Sequence, residues 1–351
     1  MLKEIKQTAL SLFKASGGFT VAYGSGWRRR RLLILGYHGV AIDDEQQWNP
    51  SLYMSLDHFA RRLEMIKKAG CAVLPLSEGL RRLYSGDLPE KSVVLTFDDG
   101  GHDFFRQAHP LLREFNFPVT LYLTTFHCFY NRPVFNVMCS YLLWKGRRVT
   151  LKLKDLIHLD QSMPLSDYTS RIATLNAFHA FANENKLSAE EKEDFNVRLA
   201  FKLGVDYDQL LENRILQILT PEEVRSLSSQ GVDIQLHTHR HRVPLDRELF
   251  IREIEENRHS INAMTGSVAS HFCYPSGVFA KPFHLWLRES GIRSATTCQA
   301  NMATTSSDPF LLPRLIDTSY LSEMEFEGWL AGICALFPQR YHSSRTRRGF
   351  P

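Results

Sequence analysis

Short apolar runs alternate with helical patterns along residues 31–126. Residues 31–35 and 92–97 are mostly apolar or β-branched and predict buried strands, whereas residues 57–70 and 102–116 repeat apolar side chains at helical spacing. The same alternation returns over residues 216–320. Strands and helices that alternate in this way are typical of an α/β fold with a mostly parallel sheet or a barrel.

The alternation stops after about residue 125. Residues 127–215 carry long polar helical stretches with few strand signals, which predicts a helical insertion. Ser188 with Glu191, and Thr220 with Glu223, have the spacing of capping boxes and mark two helix starts. The predicted organisation is an amphipathic basic segment at 1–30, a barrel formed by 31–126 and 216–320, the insertion at 127–215, and a C-terminal helix with a basic tail at 321–351.

Composition narrows the class of protein. The 351 residues are 44% apolar and 23% charged, as in ordinary globular proteins, and a net charge of only +4 does not indicate a nucleic-acid partner. The six cysteines form no C-x-x-C pair, which argues against a thiolate zinc site and predicts reduced thiols. Without an apolar run of about 18 residues or a secretory leader, we expect a cytoplasmic protein, with the inner membrane face as an alternative.

Basic residues concentrate near the termini, in residues 28–31 and in Arg345, Arg347 and Arg348. The first residues also place several apolar side chains on one helical face: Leu2, Ile5, Ala9, Leu12 and Phe13. This face has two interpretations, contact with an anionic membrane or packing against its own domain. The second is the commoner arrangement, because amphipathic helices usually bury their apolar face against the protein core.

Three polar segments follow predicted strands. Asp98 and Asp99 come between an apolar strand and Gly100, and adjacent carboxylates are not both comfortably ionised unless a cation or proton separates their roles. The segment 237–241 contains three histidines, and the segment 274–277 ends a third strand. Because the carboxyl ends of parallel strands share one rim, we expect these segments to lie together.

His237 and His241 are four residues apart, a spacing that puts both side chains on one face of a helical turn. With one carboxylate they make a two-histidine, one-carboxylate site suited to zinc or another divalent transition metal. The second carboxylate is then available as the base that takes a proton from water. His239 lies between the two ligands and is expected to point elsewhere.

The segment Thr96-Phe97-Asp98-Asp99-Gly100 resembles the first motif of the polysaccharide deacetylases, the NodB-homology family or carbohydrate esterase family 4. Residues 237–241 resemble the second motif of that family, residues 272–277 the third, and residues 36–40 its first-strand segment. The resemblance implies a distorted (β/α) barrel of the NodB-homology type, one divalent metal and hydrolysis of N-acetyl groups on amino sugars.

Carried over by position, the resemblance makes Asp98 the general base and assigns the metal to Asp99, His237 and His241. The backbone near Tyr274, with Pro275 and Gly277, would form the substrate wall and help to bind the oxyanion. The metal would be Zn²⁺, with Co²⁺, Ni²⁺, Fe²⁺ or Mn²⁺ as alternatives. The partner would be an N-acetylated glycan or a lipid-linked sugar, and the oligomeric state is left open.

Two positions depart from the family pattern. Cys273 stands where an arginine usually orients the base, and we hypothesise that Arg314 supplies that charge; alternatively Arg314 is a surface residue paired with Asp317 or a nearby acid. The late histidine that acts as general acid has no good match, since His342 sits in the basic tail. His38 is a candidate substitute, or else a histidine that plugs the barrel mouth.

The sequence therefore predicts a metal-dependent hydrolase that removes N-acetyl groups from an amino-sugar glycan or glycolipid precursor. Two alternatives stay open. One is a related amidohydrolase or deformylase acting on another small amide, and the other is a catalytically silent, metal-containing glycan-binding module.

Overall fold

The computed structural model describes residues 2–130 and 132–337, with side chains described from residue 6 onward. Within these residues the strands are β1 (Leu33–Tyr37), β2 (Gly39–Val40), β3 (Tyr53–Met54), β4 (Ala72–Val73), β5 (Ser92–Phe97), β6 (Thr120–Leu123), β7 (Thr150–Lys152), β8 (Ser162–Pro164), β9 (Asp233–Leu236), β10 (His271–Cys273), β11 (Ser294–Thr296) and β12 (Leu315–Ile316). The α-helices are α1 (Leu2–Ala15), α2 (Gly18–Tyr23), α3 (Gly26–Arg29), α4 (Glu45–Trp48), α5 (Leu56–Lys68), α6 (Leu76–Ser85), α7 (His109–Glu114), α8 (Phe135–Lys145), α9 (Lys154–Ile157), α10 (Tyr168–Glu184), α11 (Ala189–Leu203), α12 (Tyr207–Glu212), α13 (Pro221–Ser229), α14 (Arg247–Thr265), α15 (Phe283–Glu289) and α16 (Glu323–Leu330). A π-helical turn (Phe104–Ala108) precedes α7, and short 3₁₀ turns lie at His127–Phe129, Pro275–Gly277 and Ile333–Leu336.

Parallel strands curl into the predicted barrel. Their order is β11-β10-β9-β6-β5-β1-β12, and β4 pairs with the first residues of β5. The two edges approach each other because Thr296, which ends β11, forms a parallel bridge with Leu312, just before β12. The distorted (β/α) barrel predicted from the sequence is confirmed.

The barrel strands are buried on both faces, which explains why they read as continuous apolar runs. Successive residues of β1 alternate between two apolar clusters. Leu33 and Leu35 pack in the large cluster shared with the surrounding helices. Ile34 belongs to a smaller cluster that also includes Val94 and Tyr122 from the neighbouring strands. The carboxyl ends of these strands form one rim of the barrel, and the polar segments lie at that rim.

The segment predicted as a helical insertion builds a hydrophobic cluster of its own. Helices α8, α10 and α11 contribute side chains such as Leu142, Phe178 and Phe195, and Trp48 and Tyr53 pack against it from the barrel side. Both predicted capping boxes, at Ser188 and Thr220, are confirmed. The antiparallel hairpin of β7 and β8 was not predicted. The division of the chain into domains stays a prediction.

Helix α1 packs on its own domain, as the favoured interpretation expected, but through a residue outside the predicted apolar face. Among the side chains described in α1 only Leu10 is buried, whereas Ala9, Leu12 and Phe13 of the predicted apolar face are exposed. Leu10 belongs to the main hydrophobic cluster, and ion pairs of Lys6 with Glu325 and of Lys14 with Glu327 also hold the helix. The side chains of Leu2 and Ile5, and the basic tail with His342 and the arginines at 345–348, lie outside what the structure describes.

The expectations about membrane-spanning segments and about the cysteines can also be compared with the structure. No helix in the described residues is both long and apolar enough to cross a bilayer. All six cysteines are free thiols, as the sequence predicted.

Candidate active site

Asp98 and Asp99 directly follow β5 and contact different side chains. The Asp98 amide donates to the Tyr37 carbonyl and continues the strand pairing by one residue. Asp99 and Gly100 then have positive φ values of 70° and 85°, which turn the chain sharply. Such a conformation strains a residue that carries a Cβ, and strain of this kind concentrates at functional sites. The turn gives the two neighbouring carboxylates separate surroundings.

Asp98 is buried and paired with Arg314. The two terminal nitrogens of Arg314, Nη1 and Nη2, donate to Asp98 Oδ1 and Oδ2 at 2.7 Å each, a bidentate ion pair. The alternative partner Asp317 is engaged elsewhere, since Arg62 donates to both of its oxygens. The structure thus places Arg314 beside Asp98 and not on the surface.

The rest of the Arg314 side chain is also bound. Its Nε donates to the Thr297 carbonyl at 3.0 Å, and Nη1 donates to Thr96 Oγ1 at 3.0 Å. Nη2 lies 3.0 Å from the Cys273 sulfur, which shows that a small thiol at this position leaves room for the guanidinium. Burial raises the pKa of Cys273 well above its usual value, so the thiol stays neutral beside the ion pair.

Arg314 also determines the charge of Asp98. Burial is the largest single influence and raises the pKa of the Asp98 carboxyl. The charge and hydrogen bonds of Arg314, with smaller effects of His237 and His38, oppose burial and bring the pKa to about 2. Asp98 is therefore a carboxylate at neutral pH.

Asp99 faces the two histidines that the sequence singled out. Asp99 Oδ1 lies 3.2 Å from His237 Nε2 and 3.2 Å from His241 Nε2. The three ligand atoms lie within 4.8 Å of one another. His237 is buried, whereas the side chains of Asp99 and His241 are about one-third exposed. This group, the Asp99–His237–His241 triad, therefore opens to solvent on one side.

The segment carrying the histidines is not the helical turn that the spacing suggested. Residues 237–241 form a loop in which Thr238 and His241 have positive φ values of 62° and 54°. The chain bends back on itself, and Thr238 Oγ1 accepts a hydrogen bond from the Arg242 amide. The loop brings the two rings to a centroid distance of 4.9 Å, so both histidines reach Asp99 by a different geometry. His239 points away, toward Thr125.

His237 is held in the orientation that a ligand needs. Its Nδ1 is 2.9 Å from the Cys273 carbonyl, which fixes the proton on Nδ1 and leaves the Nε2 lone pair directed at Asp99. The His237 amide donates to Asn257 Oδ1 at 2.9 Å. Asn257 in turn donates to the Leu123 carbonyl and to Thr125 Oγ1, which ties the histidine loop to the neighbouring strand.

The chemistry of the triad fits a divalent metal. Asp99 Oδ1 is buried without a hydrogen-bond partner among the described residues, and two imidazole nitrogens converge on it. Burial raises the pKa of Asp99, but His241 and His237 together hold it well below its usual range. Three atoms with lone pairs and one open side match a site of two histidines and one carboxylate. A second possible group, Asp98 with His237 and Cys273, is less suitable because Arg314 already occupies Asp98 and the thiol.

His38 lies on the other side of Asp98. His38 Nε2 is 3.8 Å from Asp98 Oδ2, and its side chain is partly exposed. Its Nδ1 is buried and has no hydrogen-bond partner among the described residues. The position at the end of β1 puts an imidazole at the rim, next to the carboxylate and close to solvent.

Comparison with known proteins gives the family. The sequence profile described as polysaccharide deacetylase matches residues 85–138 and 178–295. The chain belongs to the polysaccharide deacetylase family. Its homologues in that family are hydrolases that act on N-acetyl amide bonds. No curated protein matched the sequence.

Solved structures show the same fold. The Streptococcus pyogenes deacetylase PplD, in complex with acetate, is 18% identical, with a TM-score of 0.55 over 86% of this chain and 98% of that one. IcaB from Ammonifex degensii is 16% identical, with a TM-score of 0.53 over 87% and 97%. A de-N-acetylase from Aggregatibacter actinomycetemcomitans is 17% identical, with a TM-score of 0.53 over 85% and 99%. At these identities the likeness concerns the fold.

The amide groups of the predicted wall, Tyr274, Pro275 and Gly277, are not free to bind an oxyanion among the described residues. The Tyr274 amide donates to the Thr296 carbonyl at 3.2 Å, the Gly277 amide donates to the Tyr274 carbonyl, and Pro275 has no amide hydrogen. The Tyr274 hydroxyl donates to the Phe310 carbonyl. Because these donors are engaged, an oxyanion role for the three residues stays a prediction.

Sequence reasoning missed two polar residues of the site. Asn257 lies within α14, twenty positions after His237, where no motif marks it. Thr96 belongs to the first motif and reads as an ordinary β-branched strand residue, yet its hydroxyl accepts from Arg314 and donates to the Leu35 carbonyl. Thr96 offered one signal, a polar residue inside an apolar strand, whereas Asn257 lies in a charged stretch of α14 and offered none.

Proposed function

We propose that this chain is a metal-dependent hydrolase that removes N-acetyl groups from an amino-sugar glycan or glycolipid precursor. The observation that carries the proposal is the separation of two adjacent acids. Asp98 is buried and ionised beside Arg314, while Asp99 faces two histidines at an open rim. Hydrolysis of an amide needs both a proton acceptor and a group that polarises the carbonyl, and the two acids divide these tasks.

Asp99, His237 and His241 would hold one divalent metal, with Zn²⁺ the first choice and Co²⁺, Ni²⁺, Fe²⁺ or Mn²⁺ as alternatives. When bound, such an ion supplies Lewis acidity toward the acetyl carbonyl and the attacking water. The chain itself prepares the ligands. The Cys273 carbonyl selects the His237 tautomer, and Asn257 holds the histidine backbone.

Asp98 would accept the proton of the attacking water. Its low pKa keeps it ionised over the whole neutral range, so it is always available as an acceptor. Arg314 would position the carboxylate, because a bidentate contact fixes both oxygens in one plane. In this proposal Arg314 replaces the arginine expected at position 273.

His38 would return a proton to the leaving amine. An imidazole is the side chain whose unperturbed pKa lies nearest neutral pH, and His38 Nε2 lies within 3.8 Å of the carboxylate proposed to take up the proton. Tyr274, Pro275 and Gly277 would form one wall of the groove that receives the sugar.

The decisive experiment measures acetate release by the purified full chain from a panel of N-acetylated glycans, with metal content determined in parallel. We expect turnover with Zn²⁺, Co²⁺ or Ni²⁺, and we expect Asp98→Asn to retain the metal while losing turnover. Asp160→Asn, an exposed acid in the insertion, is the matched control. Absence of acetate release from every glycan with all three metals would refute the proposal. Release of formate or turnover of other small amides would instead identify a related amidohydrolase, and metal and glycan binding without turnover would identify a silent module.

A further inference from the structure

The two terminal segments of this chain carry a net positive charge, whereas the residues between them carry a net negative charge. Residues 1–31 contain seven lysines and arginines against one acid, and residues 338–351 contain four arginines and no acid. These two segments therefore carry +6 and +4, and since the whole chain carries +4, residues 32–337 carry −6 by difference. A net charge this unevenly distributed indicates a local anionic partner and not a general affinity of the whole surface.

The fold brings the two ends together at one apolar groove. Helix α1 contributes Ala9, Leu10 and Phe13, and the 3₁₀ turn at the end of the described chain contributes Ile333 and Leu336. The groove has a volume of about 290 Å³. Phe337 also lines it and is the last described residue, so the cationic segment 338–351 begins at the groove.

Large apolar side chains are exposed on α1 and on the following helix, α2. Leu12 is 68% exposed and Phe13 is 45% exposed on α1, and Val21 on α2 is 75% exposed. Lys6 and Lys14 of α1 pair with Glu325 and Glu327 of α16. The apolar face predicted to pack on the domain is consequently left outward, and exposed apolar surface flanked by cationic segments is typical of interfacial helices.

We infer that this terminal surface, formed by α1, α2 and the turn at Ile333–Leu336, docks on an anionic lipid bilayer. The apolar side chains would enter the headgroup region, and the cationic segments would neutralise lipid charge. Arg29 on α3 and Arg30 at its C-cap follow α2 within seven residues and are both exposed, and Arg29 pairs with exposed Glu90. The inference does not depend on the deacetylase activity proposed above.

The docking surface lies away from the catalytic rim. Arg28, the first of the four consecutive arginines, donates to the carbonyl of Ser92. Ser92 begins β5, and Asp98 follows the opposite end of that strand. Gly332, which precedes the groove turn, approaches Trp27 and Arg28 closely. Docking would therefore leave the Asp99–His237–His241 triad facing the aqueous phase, open to a glycan that is dissolved or projects from another surface.

Co-sedimentation of the full chain with vesicles tests this inference. We expect binding to phosphatidylcholine vesicles containing about 30% phosphatidylglycerol, little binding to pure phosphatidylcholine, and release at high salt. Replacing Arg29 and Arg30 by Gln should lower the partition coefficient about fivefold for each charge removed. The double variant Leu12→Ser, Phe13→Ser should lower it at least tenfold, because the apolar contribution to interfacial binding is lost.

The matched control is Phe201→Ser, which removes a more exposed aromatic side chain, 82% accessible, from helix α11 of the insertion. It should leave vesicle binding unchanged, and thermal unfolding should show that all variants are folded. Failure of the wild type to bind anionic vesicles at low salt would overturn the inference. So would self-association in sedimentation velocity that depends on Leu12 and Phe13 and occurs without vesicle binding, since the surface would then join two copies of the chain.

Discussion

Arg314 donates hydrogen bonds to both carboxylate oxygens of Asp98, although it lies 216 residues later in the chain. The arginine comes from the segment that leads into β12, which pairs with β1, and β1 pairs with β5, the strand that delivers Asp98. One strand of the barrel, β1, thus lies between the strands that carry the two residues. The ion pair depends on this order of strands, because the Arg314 side chain passes Gly36 of β1, where an added Cβ would lie 3.4 Å from the guanidinium carbon.

Replacing Arg314 by Lys should lower kcat/KM for acetate release by about 100-fold or more, because an ammonium group cannot make the bidentate contact that fixes Asp98. The variant should also unfold at lower temperature, since losing a hydrogen bond to a buried charged group costs about 1.5–3 kcal/mol. The matched control is Arg62→Lys, which disturbs the equally buried Arg62–Asp317 pair. We expect a comparable loss of stability there with kcat/KM per folded molecule preserved. An equal loss of activity in both variants would contradict a specific role for Arg314.

Replacing His38 by Gln should lower kcat by about 100-fold while metal content and KM change little, because a general acid acts on the leaving group and not on binding. His58→Gln, on helix α5, is the control. If His38 only plugs the barrel mouth, the melting temperature will fall and kcat will be retained. Steady-state kinetics together with thermal unfolding separate the two roles.

Asn257→Ala should weaken metal binding about 10- to 100-fold, as loss of a residue that orients a ligand usually does. The change removes the acceptor of the His237 amide and two donors to the neighbouring strand. Competition with a chromogenic chelator would measure the affinity. Asn262→Ala, five residues later on the same helix and exposed, should leave the affinity unchanged. Equal affinities in the two variants would show that His237 is held by other contacts.

Asp103 should make the stability of the protein depend on pH. Burial raises the pKa of this carboxyl to about 7, although the Val40 amide donates to it at 2.7 Å and opposes the shift. Between pH 4 and 7 the folded state then binds more protons than the unfolded state, whose carboxyl has a pKa of about 3.9, so stability falls as the pH rises. The full effect above pH 7 corresponds to about 4 kcal/mol.

Urea unfolding in the presence of a chelator at several pH values between 4 and 8 would measure this dependence. Asp103→Asn keeps an acceptor for the Val40 amide and should abolish the Asp103 contribution to the slope. Asp160→Asn, whose carboxyl is exposed, should leave the slope as it is in the wild type. An unchanged slope in Asp103→Asn would mean that the acid is ionised in the folded state.

Much of the site was predictable because its main residues follow strands. An apolar run that ends in Asp98 and Asp99, and another that ends before His237, are local patterns, and a parallel sheet puts such ends on one rim. The same reasoning found Arg314 as a candidate but could not choose between Asp98 and Asp317 as its partner. That choice needed the positions of β5 and β12, which no local pattern contains.

Other features depended on how the chain folds around the motifs. The spacing of His237 and His241 suggested a helical turn, whereas a loop with positive φ at Thr238 and His241 brings them together. Helix α1 has an apolar face in sequence, but Lys6 and Lys14 orient it through α16 and leave Leu12 outward.

The sequence by itself therefore determined the α/β alternation, the strand ends and the types of side chain at the rim, since these follow from hydrophobic periodicity and short motifs. Only the tertiary structure decided which arginine pairs with Asp98, how the histidine loop turns and which surface of α1 stays open. These are contacts between segments far apart in the chain, and packing of the whole barrel, not local propensity, selects among them.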